Sequence, residues 1–327
     1  MPSFSELNKR QQTSLLGQVA LDAAKLYGLD GIKPALVYHG YNTTFRFDHP
    51  RERYAMRINV NSRRTPEQIA GEVAWIEALS KETNLTLPIP VRFLKGEPTV
   101  RIANSYFPEQ LSIVLYHWLD GRHMSEKLGT ANAEQIGGIM RVLHNHGEHF
   151  VFPRGTSRPQ LMDVFDSLPW RLSDAPLWTD ARDEAQAVMD KLEANPRQVV
   201  HFDVHLRNLK KIGDRIAVFD FDDSVIAWPV MDIAQSMFYL RRALNAEAIE
   251  SSLWKGIGQQ VEDYGVTRKE FEALVAGRAL LLACDLVGNN NAELQALTPM
   301  YLARTEYRLQ EYRRTGRFDS SLTPSVE

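Results

Sequence analysis

Two acids and an amide recur at short intervals between residues 200 and 222. Asp203 is followed by Asn208 and then by Asp220, and the turn 213–214 separates an NLKKI segment from an alternating IAVFDFD segment. This pattern predicts a hairpin with the first acid and the amide on the incoming loop and Asp220 at the end of the outgoing strand. A carboxylate can orient an acceptor hydroxyl, and an Asn with an Asp can hold Mg²⁺ against the phosphates of ATP. The segment therefore predicts phosphoryl transfer.

Further polar residues accompany this set. His201 and His205 flank Asp203, and Asp222 shares a strand face with Asp220 by alternation. We expect His201 to brace the loop. His205 either contacts phosphate or packs against its neighbours, and Asp222 either supports the metal or the acceptor or caps the next turn. On a predicted helix near residue 144, two histidines two positions apart diverge and cannot share an ion, so His144 is interpreted as a buried polar brace.

The elements that must position these residues fall into two groups. The N-terminal ~120 residues read as a helix, three short strands, a second helix and further strands, whereas the remainder reads as helices around one hairpin. The start of the second helix is predicted by its N-cap Thr65, by Pro66 in the first turn and by Gln68, which completes a capping box. This helix should run to about Leu79. The strands are predicted at 34–40, 43–49, 53–59, 87–105 and 111–121, the hairpin at 198–222, and the later helices at 133–150, 180–195, 231–244, 253–265, 268–288 and 301–316.

The loop 201–208 reads His-Phe-Asp-Val-His-Leu-Arg-Asn. It resembles the H-x-D-x-H-x-x-N loop of the aminoglycoside phosphotransferase and choline kinase branch of the protein-kinase-like superfamily, which also includes stress-response kinase and homoserine kinase types. The resemblance implies an α+β, two-lobe fold: a small β-rich N-lobe with one key helix and a large, mainly helical C-lobe with a catalytic β-hairpin. We assign residues 1–29 to an N-terminal helix, 30–119 to the N-lobe, 120–317 to the C-lobe and 318–327 to a tail.

The same resemblance implies roles in the larger lobe. Asp203 would be the catalytic residue that aligns the acceptor hydroxyl or acts as general base. Asn208 and Asp220 would be the Mg²⁺ ligands, and His205 and Asp222 are candidates for supporting the acceptor or the metal. Asp232, in a D-I-A sequence at the start of a helix, is expected to tie that helix to the backbone of the catalytic loop.

Glu72 is the informative residue of the smaller lobe. Its spacing from Ile69 and Ile76 places it on the buried stripe of the second predicted helix, where an unpaired carboxylate would be costly. In the resembling family its partner is a Lys on the third strand that also touches the nucleotide phosphates. That position carries Arg57 here, and arginine can form a bidentate pair with a carboxylate or a phosphate.

The remaining nucleotide contacts have weak signals. The sequence has neither a G-x-G-x-x-G loop nor a Walker A motif, and the segment 39–44 lies at the first strand-to-strand turn. Asn42 in that turn is a candidate phosphate contact, with an ordinary hairpin turn as the alternative. The resemblance also implies that backbone groups at His117 and Leu119 pair with adenine.

Composition excludes several classes of protein. The 327 residues are 44% hydrophobic and 24% charged with a net charge of −3, so no basic field argues for nucleic acid or an anionic membrane as a partner. Cys284 is the only cysteine, which excludes an internal disulfide and fits a reducing cytoplasm. The first 30 residues have the pattern of neither a signal peptide nor a membrane span.

The leading hypothesis is an ATP- and Mg²⁺-dependent phosphotransferase acting on a hydroxyl of a small molecule, such as an amino alcohol, a homoserine-like amino acid, a sugar or an aminoglycoside. A protein Ser/Thr acceptor is the first alternative, although no A-P-E activation-segment end is present. A catalytically weak nucleotide-binding regulatory module is another, motivated by Arg57. The most distant alternative is a metal-dependent hydrolase, with ligands His201, Asp203, His205, Asp220 and Asp222.

Overall fold

Contacts between segments divide the chain into two units, residues 1–120 with 152–158 and residues 121–151 with 159–327. The computed structural model describes residues 3–60, 64–94, 96–125, 127–162, 175–287 and 292–324. Each unit has its own sheets and helices, which are given below for each unit in turn.

The first unit is an antiparallel sheet with two helices. Its strands are β1 (Ala35–His39), β2 (Asn42–Asp48), β3 (Arg53–Asn59), β4 (Pro90–Val91), β5 (Thr99–Ile102) and β6 (Leu111–His117). The spatial order is β1-β2-β3-β6-β4, and β5 also pairs with β6. The helices are α1 (Lys9–Leu26) and α2 (Pro66–Glu82). This arrangement confirms the β-rich smaller lobe.

Apolar side chains of α1 and the sheet form one core in this unit. Small residues on one face of α1 allow it to lie close to the strands, and the large residues of the strands fill the remaining space. The buried cluster includes Leu16, Val19, Ala20, Ala23, Phe45, Phe47, Met56, Ile58, Ile113 and Leu115. At α2 the predicted start is confirmed: the Thr65 hydroxyl accepts from the Gln68 N–H at 3.3 Å, and the Gln68 side chain accepts from the Thr65 N–H at 3.1 Å.

The second unit contains more strand than the sequence predicts. Its strands are β7 (Arg122–His123), β8 (Gln198–Val200), β9 (Leu209–Ile212), β10 (Arg215–Val218) and β11 (Val225–Ala227). The prediction of a single hairpin over 198–222 is wrong in its extent, because only β9 and β10 form it; β8 pairs with β11 instead, and β7 joins β9. Strands of two or three residues are too short to show an alternating pattern.

Six helices complete the described part of this unit. They are α3 (Thr130–His149), α4 (Pro176–Leu192), α5 (Pro229–Leu240), α6 (Ala246–Ile257), α7 (Arg268–Val287) and α8 (Ala292–Thr315). The predicted helix over 253–265 is wrong, because Gly258 adopts a φ of 78° and ends α6, and a separate 3-10 turn follows at Val261–Tyr264. No helix in the described ranges is long and apolar enough to cross a bilayer.

The chain after α8 packs against other elements of the second unit. Phe318 and Ser320, which the sequence analysis assigned to a tail, are fully buried. The Arg241 guanidinium donates to the Phe318 carbonyl and to Glu272, each at 2.6 Å. This buried cation therefore fixes the segment that follows α8.

Glycines let two helices of the second unit approach each other closely. A Cβ added at Gly137 of α3 would lie 2.1 Å from the Leu253 carbonyl oxygen, and one at Gly256 of α6 would lie 1.9 Å from the Glu134 carbonyl oxygen. A Cβ at the neighbouring Gly138 would meet no atom within 4 Å. The two adjacent glycines of α3 therefore differ sharply in what they tolerate.

Gly137→Ala should lower the free energy of unfolding by about 1–3 kcal/mol, because the new methyl group forces α3 and α6 apart. Gly138→Ala is the matched control and should raise it by up to about 1 kcal/mol through helix propensity. Urea unfolding followed by circular dichroism measures both. Equal effects of the two substitutions would contradict the close helix contact.

Candidate functional site

The loop between β8 and β9 contains a bulky residue in an unusual backbone conformation. Phe202 has a φ of 64° and is 5% exposed. A left-handed conformation is uncommon for such a residue and costs about 1–3 kcal/mol. The Phe202 N–H donates to Asp232 Oδ1 at 2.7 Å, which holds the chain in this turn.

Asp232 is fully buried at the start of α5 and uses both carboxylate oxygens. While Oδ1 accepts from Phe202, Oδ2 is 2.8 Å from His144 Nε2 on α3. The structural roles predicted for Asp232 and His144 are therefore confirmed. One carboxylate links two helices to the loop that carries Asp203.

His201 braces the loop from the inside, as predicted. Its Nε2–H donates to the Phe219 carbonyl at 3.2 Å, and its Nδ1 accepts from the Asp203 N–H at 3.3 Å. Burial lowers the pKa of His201, although Asp232 and Asp203 oppose this effect. The ring is therefore neutral, and both of its nitrogens are engaged.

The two oxygens of Asp203 have different surroundings. Oδ2 accepts from Asn208 Nδ2 at 2.8 Å and lies 3.2 Å from His205 Nε2. Oδ1 is buried without a hydrogen-bond partner among the described residues, and its nearest cation is Arg278, at 3.8 Å. One side of the carboxylate is thus fixed, and the other is left to accept a hydrogen bond.

Electrostatics keep this carboxylate ionised. Burial alone would raise the pKa of Asp203, but His205 and Arg278 act in the opposite direction and outweigh burial, so the pKa is lower than that of an ordinary Asp. An ionised Asp203 at neutral pH is a good hydrogen-bond acceptor and a weak base.

Sequence analysis missed two residues of this site, Arg278 on α7 and Tyr239 on α5. Arg278 Nη2 donates to the Tyr239 hydroxyl at 2.8 Å, and the His205 ring packs on the Tyr239 ring with centroids 4.6 Å apart. A signal existed: between Ala273 and Cys284, Arg278 is the only charged residue in an apolar run. A buried arginine needs polar partners, but the sequence does not say which.

The predicted metal ligands lie at the other end of the loop. Asn208 Nδ2 donates to both the backbone and the side-chain oxygens of Asp203, which turns the amide oxygen away from Asp203. The Phe219 N–H donates to the Asn208 carbonyl at 3.1 Å and so brings the residue before Asp220 against Asn208. Asp220 is exposed and has a φ of 63°, which Asp tolerates better than most residues. Asp222 is half-buried nearby in sequence.

The ligand cluster of the hydrolase alternative does not form. Within the described ranges, no three His, Cys, Asp or Glu side chains are grouped so as to hold a metal ion. His201, which that alternative requires as a ligand, has both ring nitrogens bonded to the protein backbone.

In the first unit, the expected partner of Glu72 is confirmed. Arg57 Nη1 and Nη2 donate to the two Glu72 oxygens at 2.8 and 2.6 Å, and the Tyr116 hydroxyl donates to Oε1 at 3.2 Å. The side chains are only 8% and 1% exposed. A bidentate, buried pair of this kind fixes α2 on β3.

The turn between β1 and β2 is short and tightly packed. A Cβ at Gly40 would lie 2.2 Å from the Tyr38 hydroxyl oxygen, so a side chain there would require the exposed Tyr38 ring to move. Thr43 is fully buried, and its hydroxyl hydrogen-bonds with His39 Nδ1 at 2.8 Å. Its hydroxyl is thus used inside the unit. Asn42 is buried at the first position of β2.

At the end of β6, the His117 N–H donates to the Ile89 carbonyl at 2.8 Å. This donor is therefore engaged within the sheet, and a base contact at His117 would use its carbonyl. Leu119 lies two residues beyond the strand. Its contact with adenine stays a prediction.

Residues 39–258 match the family described as the phosphotransferase enzyme family. The match spans more than half of the chain and includes the loop around Asp203, the Arg57–Glu72 pair and Asp232. The chain belongs to this family. The predicted resemblance is confirmed, and with it the assignment of the protein as a phosphotransferase.

Individual relatives of this phosphotransferase are distant in sequence. The amicoumacin kinase of Bacillus subtilis (strain 168) is 21% identical over 223 residues, an alignment that covers 66% of each chain and thus slightly less than two thirds of that relative. A microcompartment-associated aminopropanol kinase superposes with a TM-score of 0.77 at 20% identity, over 92% of this chain and 98% of that one. The amicoumacin kinase hAmiN in complex with AMP-PNP, Ca²⁺ and Ami gives 0.74 at 18%, over 92% and 96%. These likenesses confirm the predicted fold class.

Glu72→Gln should lower the free energy of unfolding of the phosphotransferase by about 3–5 kcal/mol, because it leaves the buried Arg57 without a counter-charge. Asp48→Asn is the matched control: Asp48 pairs with Arg46 on β2, but both side chains are exposed, at 52% and 38%. This change should cost less than about 1 kcal/mol. Denaturant titration of both variants tests the difference, and a small effect at Glu72 would count against a buried pair.

Asp232→Ala should lower the free energy of unfolding by at least about 1–3 kcal/mol, since it leaves the buried N–H of Phe202 without an acceptor. Asp232→Asn should recover part of the loss, because an amide oxygen can still accept from Phe202. Asp180→Ala, at a carboxylate 46% exposed and paired with Arg313, is the control and should change little. If the Asn variant is no more stable than the Ala variant, the bond to Phe202 is not what Asp232 supplies.

Proposed function

We propose that the protein transfers the γ-phosphoryl group of ATP to a hydroxyl of a small molecule and that Asp203 orients that hydroxyl. One observation carries the proposal: Asp203 has one oxygen fixed by Asn208 and His205 and the other buried without a hydrogen-bond partner among the described residues. An unpaired buried acceptor is costly unless a ligand completes it. An acceptor hydroxyl that donates to Oδ1 would do so.

The lowered pKa of Asp203 fits orientation better than early proton removal. In a loose phosphoryl-transfer transition state, the attacking oxygen keeps its proton until late, so the main contribution of the protein is alignment. Asp203 can accept the proton once the new P–O bond has raised the acidity of the hydroxyl. The fixed Oδ2 prevents the carboxylate from rotating away.

Asn208 and Asp220 suit a divalent cation. The amide of Asn208 donates to Asp203, so its carbonyl oxygen is the end that can act as a ligand, and Asp220 adds a carboxylate after β10. Two protein oxygens with substrate phosphates are a usual set for Mg²⁺, which is the ion we propose. When bound, the cation would offset the charge on the phosphates.

For the first unit we propose nucleotide contacts. Arg57 donates to Glu72 through both Nη atoms, and its guanidinium group would supply positive charge to the phosphates. Glu72 would act by holding Arg57 in place. Backbone groups of the β1–β2 turn at Asn42 would approach phosphate, and the backbone at His117 and Leu119 would meet the adenine edge.

The relatives support the choice of reactants. One solved relative is described as a complex with AMP-PNP, an ATP analogue, and Ca²⁺, which favours ATP and a divalent cation here. Others are named as kinases of aminopropanol and of amicoumacin, both small molecules. We therefore place a small-molecule hydroxyl ahead of a protein serine or threonine as acceptor.

A reducing cytoplasm is the compartment that we propose. The chain has one cysteine, Cys284, which is buried in α7. Burial raises the pKa of Cys284 to about 12, so the thiol is protonated and unreactive at neutral pH.

Asp203→Ala should reduce acceptor-dependent ADP release from Mg²⁺-ATP by about 10²- to 10⁴-fold, because the hydroxyl loses its orienting group. The assay would use a panel of amino alcohols, hydroxy amino acids, sugars and a generic protein substrate. Asp190→Ala, at an exposed position on α4, is the control and should keep wild-type activity. ATP binding without release for any acceptor would instead indicate a regulatory module, and equal activity of both variants would remove Asp203 from the mechanism.

A further inference from the structure

Beside the Asp203 site, two arginines flank a single tyrosine ring. Arg278 Cζ lies 5.5 Å from the ring centroid of Tyr239, and Arg242 Cζ lies 5.8 Å from the same centroid. His205 packs on the same ring and contacts Asp203. Arg278 is thus 3.8 Å from Asp203 Oδ1, and Arg242 lies beside the same tyrosine ring and 5.3 Å from the ring centroid of Phe238.

Both arginines have buried donors that nothing in the described chain satisfies. The Nε atoms of Arg278 and Arg242 are buried without a hydrogen-bond partner. No carboxylate of the described residues forms an ion pair with Arg242, and Arg278 has Asp203 at 3.8 Å as its closest one. A buried N–H of a cation left unpaired is costly, so two in one place point to a missing anionic partner.

The positive charge extends beyond these two residues. Burial, together with the nearby Arg242 and Arg304, lowers the pKa of Arg308 to about 10, so several cationic side chains lie close together in this region. Asp319, the acid that acts on Arg308, accepts hydrogen bonds from the N–H and hydroxyl of Ser321 in its own turn. It is already satisfied locally.

Two carboxylates also stabilise the charge of Arg278. Asp203 and Asp223 both favour its charged form. Asp203 has a separate role toward the hydroxyl, and Asp223 is exposed. Neither gives Arg242 a counter-charge.

We propose that Arg278 and Arg242 bind an anionic group of the acceptor, a carboxylate or a phosphate, while its hydroxyl lies on Asp203. Guanidinium groups match both anions through paired N–H donors. This inference rests on the proposed function and names its substrate class: hydroxyl compounds that carry a negative charge. The aminopropanol of one solved relative has no such group, so the expected specificity differs from that acceptor.

Matched acceptor pairs that differ only by a carboxylate test this class directly. L-threonine and 1-amino-2-propanol form one pair, L-homoserine and 3-amino-1-propanol a second, and L-serine and ethanolamine a third. Glycerol 3-phosphate against glycerol tests phosphate as the source of the charge. We expect kcat/KM for ADP release to be at least ~10-fold higher for the anionic member of at least one pair, from one or two charge-assisted hydrogen bonds.

Arg242→Gln should remove that preference by raising KM for the anionic acceptor about 10- to 100-fold, with little change for its carboxylate-free counterpart. Arg278→Gln should raise KM for the anionic acceptor in the same way and should also lower kcat for both acceptors, because Arg278 helps to keep Asp203 ionised. Arg278→Lys keeps the charge and should retain part of the preference for the anionic acceptor. It is the variant to test if Gln at this buried position impairs folding. Arg268→Gln is the control on the same helix, because Arg268 is 67% exposed and pairs with Glu262 on the surface. It should behave as wild type.

The outcomes separate this inference from the proposed function. Amino alcohols preferred over their carboxylate-bearing counterparts, with activity still abolished by Asp203→Ala, would overturn the anion site and leave the kinase proposal intact. No acceptor-dependent ADP release with any member of any pair, despite ATP binding, would count against the proposed function itself. An anionic preference that survives in both Gln variants would overturn the assignment to these two arginines.

Discussion

The buried carboxylate of Asp232 is the interaction on which the second unit depends. It accepts from the Phe202 N–H and pairs with His144, so α5, α3 and the loop that carries Asp203 meet at one group. Because Phe202 is held at a φ of 64°, the chain turns sharply just before Asp203. His201 then ties the same loop to Phe219. The backbone strain at Phe202 persists because the hydrogen bonds of Phe202 to Asp232 and of His201 to Phe219 hold the loop in this conformation.

That fixed loop makes an uneven environment for Asp203. Oδ2 is held by Asn208 and His205, whereas Oδ1 has no hydrogen-bond partner among the described residues and lies 3.8 Å from Arg278. Burial and the nearby cations act in opposite directions on its pKa, and the cations prevail. The site therefore suits transfer to a neutral hydroxyl, where alignment contributes more than basicity. Arg278 would serve twice, by keeping Asp203 ionised and by receiving the charge of the acceptor.

The sequence predicted the parts of this fold that depend on residues close to one another in the chain. The capping box at Thr65 needs only neighbouring residues. The position of Glu72 on the buried face of its helix predicted a buried cationic partner. Three-residue strands such as β8 and β11 have no period to detect. The contact of Arg278 with Asp203 joins residues 75 positions apart, and without a motif nothing in the intervening sequence encodes it. The loop around Asp203 was predictable because its spacing is set by chemistry.

Arg57 in place of lysine changes how a phosphate can be held. A lysine has three hydrogens that rotate freely and can be shared between a glutamate and a phosphate. Arg57 instead donates through both Nη atoms to Glu72, and the Tyr116 hydroxyl donates to the same carboxylate. Its remaining hydrogens point in directions fixed by that pair. If Arg57 contacts nucleotide as proposed, it does so as a rigid fork, so nucleotide placement in the first unit depends on the packing of α2 against β3.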